Sequence, residues 1–166
     1  MQRRSLYFTG PQAVELRETS TVPSADELLV ETRVSAISAG TERLIYHGQA
    51  PSDLPADETL EALQGDLSYP LRYGYAAVGE VIETGTTVED KWLGRTVMAF
   101  NPHETHFSAE PTDLVVVPDG VEPAEAALYP TVETATTHTT PTGVDWHALS
   151  ADRIDKIPVL AARQPD

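Results

Sequence analysis

The chain has 166 residues, 40% hydrophobic and 7% aromatic, enough for one packed domain of the usual ~100 to 200 residues and too apolar for a disordered one. Its 26 Asp and Glu against 11 Lys and Arg give a net charge of −15, which opposes nucleic acid and anionic membranes, since both require clustered Lys and Arg. The absence of cysteine excludes disulfides, thiolate metal ligands and thiol nucleophiles.

The acids are spread over the whole length, and Lys91 and Lys156 are the only lysines. An acidic, lysine-poor surface of this kind points to a halophilic protein, where salt screens the self-repulsion; an ordinary acidic protein is the alternative. No run of about 18 apolar residues and no signal-peptide pattern occur, so the expectation is a soluble, cytoplasmic chain.

Ser5 to Thr9 and Ala13 to Arg17 are short apolar segments around Gly10-Pro11, the pattern of a β-hairpin. Glu27 to Ser38 is β-branched with polar residues interleaved and predicts a half-buried strand. Thr41 to His47 predicts a short helix stopped by Gly48, and Asp57 to Gln64 another stopped by Gly65. Gly74 to Thr84 predicts a central strand whose glycines mark bends or close backbone approach.

Gly94 to Phe100, His106 to Ala109 and Asp113 to Val117 continue the strands, with turns at Gly85, Asn101-Pro102 and Pro118-Asp119-Gly120. Pro123 opens a helix through Leu128, interrupted near Pro130 and continued from Val132 to about Thr137. The rest, 138–166, reads as an irregular tail. The fold class expected is mainly β, a partly open barrel with a few short helices.

Four segments in order, VSAISAGTERLIYHG, YPLRYGYAAVGEVIETG, LGRTVMAF and DLVVVPDGVEPAEAALYPTVETA, resemble the N-terminal, GroES-like domain of the medium-chain dehydrogenases/reductases, the alcohol dehydrogenase superfamily. Together they cover most of residues 1–137. SAGTER with YPLRYGY and PHETH looks like the zinc-poor branch that includes bacteriochlorophyllide-type dehydrogenases. The resemblance implies a GroES-like substrate domain over 1–137.

In zinc-dependent members a Cys-x-Thr-Asp motif gives the first metal ligand; the matching residues here are Ala39, Gly40, Thr41 and Glu42. The Gly-His-Glu motif that gives the second reads Gly74-Tyr75-Ala76, and the third falls near Pro130. A catalytic zinc needs three protein ligands and an open position, so no metal is expected. Family members continue into a Rossmann domain with a Gly-x-Gly-x-x-Gly turn. That turn is not in this sequence, and 29 residues follow Thr137. The expectation is a chain truncated before the cofactor domain, binding no cofactor itself and meeting NAD(P) only through a separate Rossmann-domain partner.

Thr41 matches the family's proton-relaying hydroxyl, with a turn hydroxyl bonded to local backbone as the alternative. His103 and His106 are candidates for acid–base chemistry, and with Glu104 for a two-His-one-carboxylate set; polar loop residues are the alternative. Tyr75 is either a hydrogen-bond donor to a substrate carbonyl or a core aromatic. Glu42 is expected to pair with Arg43 or Arg72.

The function implied is the substrate domain of an NAD(P)-dependent alcohol or polyol dehydrogenase-like oxidoreductase, inactive alone. It would take a small-molecule substrate and a Rossmann-domain partner or further copies of itself. A non-catalytic small-molecule-binding or oligomerisation module is the alternative.

Overall fold

The computed structural model describes residues 1–51 and 66–136; the expected helix at 57–64 and the tail at 138–166 lie outside them. Strands β1 (Gln2–Gly10) and β2 (Ala13–Ser20) form an antiparallel hairpin, turned at Gln12 with φ 58°. Both strands run longer than their apolar residues suggest. Their outer ends are held by cross-strand polar pairs such as Gln2 with Glu18 and Arg3 with Thr19, which carry no hydrophobic signal.

The remaining strands are β3 (Leu28–Ser35), β4 (Ala77–Thr84), β5 (Thr96–Ala99), β6 (His106–Ala109) and β7 (Val115–Val116). They form one antiparallel sheet in the order β6-β3-β4-β5-β7, which puts β4 at its centre, as its small and branched residues predict. The hairpin joins this sheet through bridges Ser5 to Glu104 and Phe8 to Leu71. The result is mainly β, a partly open GroES-like barrel.

Alternation on β4 and β5 builds a core on each face of the sheet. Ala77, Val81, Val97 and Ala99 meet Leu28, Val30, Phe107 and Leu114 on one side. Val78 and Met98 meet Val117, Ala126, Ala127 and Tyr129 on the other. A strand covered on both faces reads as continuous apolar sequence. The same holds at the start of β3, where Leu28, Leu29 and Val30 are all buried around a bulge between Leu29 and Val30. The half-buried pattern expected for this strand therefore fails at its first turn, because a bulge breaks the period of two.

Gly79 pairs with Thr32 in the centre of the sheet. A Cβ there would lie 2.3 Å from the Glu31 carbonyl oxygen, so close backbone approach requires glycine, as expected.

Helix α1 (Thr41–Tyr46) ends before Gly48, which has φ +67°. Helix α2 (Pro123–Ala126) starts with a capping box between Glu122 and Glu125, which satisfies two backbone donors that the first turn leaves open. Helix α3 (Tyr129–Thr136) follows after a break at Ala127 and Leu128. Pro130 sits in its first turn, where a missing N–H costs nothing; it opens a new helix rather than bending the old one. No helix among the described residues is long and apolar enough to cross a membrane.

Segment Asn101 to His106 ties hairpin to sheet. The Leu6 N–H donates to the His103 carbonyl, Thr105 N–H to Arg4, and Thr32 N–H to Thr105, each at 2.9 Å. Within this seam the Glu104 side chain is 3% exposed. It accepts from Ser5 Oγ at 2.8 Å, Arg72 Nη1 at 3.1 Å and Asn101 Nδ2 at 3.0 Å, with Arg3 at 3.6 Å. A buried carboxylate is tolerated only with its lone pairs filled in this way.

Glu104→Ala leaves buried Ser5 and Asn101 and two partly covered arginines without their acceptor, and is expected to cost about 3 kcal/mol in urea unfolding. A loss under about 1 kcal/mol would show that the network is dispensable.

Candidate functional site

The site forms where three separate elements meet. Glu42 and Ile45, three residues apart on α1, share its buried face, as helical spacing dictates. Ile45 packs with Phe8, Leu71 and Tyr73, and its carbonyl accepts the Tyr69 hydroxyl. This anchoring aims the Glu42 carboxylate inward. One carboxylate oxygen, Oε1, accepts the Ser38 N–H at 2.9 Å, and Oε2 lies 2.7 Å from His103 Nε2.

The opposite nitrogen of the same ring, Nδ1, is hydrogen-bonded to Ser35 Oγ at the end of β3. Three side chains thus stand in line: a carboxylate, an imidazole and a hydroxyl. The Glu42 side chain is 2% exposed and that of His103 11%, and Ser35, like His103, is partly buried.

Gly74 makes room for the ring. A Cβ on Gly74 would stand 2.9 to 3.1 Å from three ring atoms of His103, and its φ of +135° is unfavourable to any other residue. The glycine is required here because an imidazole lies against it.

Of the residues picked out by sequence, His103 is at the centre of this cluster. Thr41 opens α1, one residue before Glu42. Tyr75 is partly buried, packs at the edge of the cluster around Phe8 and Leu71, and meets Tyr73 edge-on with ring centroids 6.3 Å apart.

His106 belongs elsewhere. It lies on β6 opposite Glu31, with Nδ1 3.1 Å from Thr105 Oγ1. Glu104, the expected third ligand of a two-His-one-carboxylate set, faces Ser5, Asn101 and Arg72 instead. Two expected ion pairs are likewise corrected: Glu42 takes His103 rather than Arg43 or Arg72, and Arg72 takes Glu104. Arg72 turns away because Glu104 is the carboxylate that the hairpin seam brings to it.

Sequence reasoning missed Ser35 altogether and gave Glu42 the wrong partner. Ser35 is 68 positions from His103 and Glu42 is 61, so only the closure of the barrel joins them. The available signal was an acid three residues before the buried Ile45 on a short helix, a position that leaves a carboxylate facing inward.

No family model matches the sequence. The 2-desacetyl-2-hydroxyethyl bacteriochlorophyllide A dehydrogenase of Cereibacter sphaeroides is 35% identical over 88 residues, 50% of this chain and 23% of that protein. The fold matches a short chain alcohol dehydrogenase from E. coli CFT073, complexed with NADH, at a TM-score of 0.63 and 18% identity, over 85% of this chain and 47% of that one. Human synaptic vesicle membrane protein VAT-1 homolog-like protein matches equally well, at 0.63 and 18%, over 84% and 43%. The chain thus shares its fold with part of each of these two solved proteins. The chain spans less than half the length of each of these proteins.

A catalytic zinc of the family's kind does not fit the residues present. Ala39 and Pro130, matched to the first and third ligand positions, have no donor atom. Tyr75, matched to the second, is engaged with Tyr73. Among the described residues no three His, Asp or Glu side chains converge as a metal site. Among the described residues, Ser35, His103 and Glu42 form a hydroxyl, imidazole and carboxylate in series.

His106 titrates below its ordinary value of 6.5, chiefly because burial disfavours its charged form, with Glu31 opposing and the N-terminal amine adding to the depression. The unfolded chain therefore takes up this proton first as pH falls. Stability is lost from about pH 6.5 down to the lower folded value and is constant below it. His106→Gln is expected to flatten that part of the curve of unfolding midpoint against pH, whereas an unchanged slope would contradict the assignment.

Proposed function

We propose that this chain forms the substrate side of an NAD(P)-dependent oxidoreductase acting on an alcohol or polyol, inactive until a nucleotide-binding unit joins it. The reading is carried by one observation: the fold shared with dehydrogenases holds, at the meeting of β3, α1 and the Asn101 to His106 seam, a partly buried hydroxyl–imidazole–carboxylate chain. Fold alone does not assign an activity, but this donor set fits the task that remains to a substrate domain. It can hold an alcohol oxygen and handle its proton.

The nicotinamide, on the joining unit, would supply the hydride acceptor. The described residues supply orientation and proton handling. Thr41 and Tyr75 flank the cluster in sequence and on neighbouring segments, and in this proposal they border the bound substrate. The joining unit would be of the Rossmann type.

The test needs the chain alone. NADH and NADPH fluorescence should be unchanged on titration, and 2,3-butanediol or glycerol should shift backbone amide resonances around Ser35, Thr41, Tyr75 and His103. Cofactor-dependent turnover by the chain alone would contradict the need for a second unit. Amide shifts confined to other regions would contradict the substrate-side assignment.

A further inference from the structure

We infer that Ser35, and not Thr41, is the hydroxyl through which this site exchanges a proton with its substrate, with His103 and Glu42 as the relay behind it. The inference rests on the oxidoreductase reading above and names the residue that contacts the substrate oxygen.

The hydrogen bonds set the direction. Glu42 accepts from the Ser38 N–H at Oε1 and faces His103 Nε2 at Oε2. A carboxylate that accepts at both oxygens requires the ring proton on Nε2. In the neutral imidazole Nδ1 is then an acceptor, and the Ser35 hydroxyl donates to it. The lone pairs of Ser35 Oγ are left to accept a hydrogen bond from a substrate hydroxyl. Both ring nitrogens of His103 are engaged, by Ser35 and Glu42, so this imidazole does not serve as the base for Thr41.

Burial points the same way. Glu42 is buried, whereas His103 and Ser35 are both partly exposed, so the chain opens outward at its imidazole–hydroxyl end. Gly74 leaves room for the ring in this orientation, because a side chain at that position would occupy the same volume.

The step balances as follows. The substrate O–H proton passes to Ser35 Oγ while the Ser35 proton passes to His103 Nδ1. An oxidised nicotinamide, when brought by the joining unit, would supply the acceptor for the hydride of the carbinol carbon, leaving the carbonyl. The imidazolium so produced sits against Glu42, whose negative charge stabilises it, and returns its proton to solvent after the product departs.

Two measurements on the full chain, neither needing the nucleotide-binding unit, test this. Imidazole nitrogen NMR should place the neutral-ring proton of His103 on Nε2. p-Nitrophenyl acetate should acylate Ser35: Oγ attacks the carbonyl carbon, His103 Nδ1 takes the hydroxyl proton, and p-nitrophenolate leaves. Mass spectrometry should locate the acetyl group on Ser35, with the rate lowered about 100-fold in His103→Asn, the acetyl group absent in Ser35→Ala and acylation restored in Ser35→Thr. A folded amide spectrum for each variant removes misfolding as an explanation.

A ring proton on Nδ1, or equal acylation of wild type and His103→Asn, would overturn the relay. If those results appear while 2,3-butanediol still shifts the site, only the relay fails. If the relay results hold and no alcohol binds, the substrate-side reading fails.

Discussion

The short segment from Asn101 to His106 is the constraint on which the rest depends. Its backbone bonds to β1 and to β3, so it fastens the hairpin to the main sheet. Its adjacent side chains, His103 and Glu104, enter two different polar clusters. Glu104 closes the seam with Ser5, Arg72 and Asn101; His103 crosses to Ser35 and Glu42. The bond network that holds the barrel shut also sets the imidazole in place, and the rigidity of the site follows from the stability of the fold.

This coupling accounts for the two buried carboxylates, Glu42 and Glu104, among the described residues. A buried carboxylate is unfavourable unless its oxygens are filled, and both Glu42 and Glu104 meet that condition through partners on other elements. Their roles differ. The partners of Glu104 include guanidinium groups, which hold their protons across all ordinary pH. Glu42 faces an imidazole, which can take up and release one. The first arrangement is a lock, and the second is equipped for proton chemistry.

The strands were legible in the sequence wherever apolar periodicity coincides with burial: the β1-β2 hairpin around Gly10-Pro11, the central β4, and the turn after α1 at Gly48. The doubly covered start of β3 departs from alternation because of a bulge that no local pattern announces. The candidate site was legible in part. His103 stood out as a histidine beside Pro102, while Gly74 was expected as the first residue of the strand Gly74 to Thr84, which starts instead at Ala77. Ser35 looked like one more polar residue on β3, and Glu42 like a surface acid on a short helix. What gives both a role is tertiary closure over more than 60 positions, which local spacing does not encode.

The same positions explain how a domain of this fold can be built without the residues of a metal centre. Ala39, Tyr75 and Pro130 offer no zinc ligand set, while Ser35, His103 and Glu42 provide a hydroxyl with a base and a charge behind it. The most direct measurement is a crystal structure of the chain grown with 2,3-butanediol. The account predicts a substrate hydroxyl within hydrogen-bond distance of Ser35 Oγ, with His103 still between Ser35 and Glu42. An alcohol bound at Thr41 with Ser35 uncontacted, or a His103 ring turned away from Glu42, would contradict it.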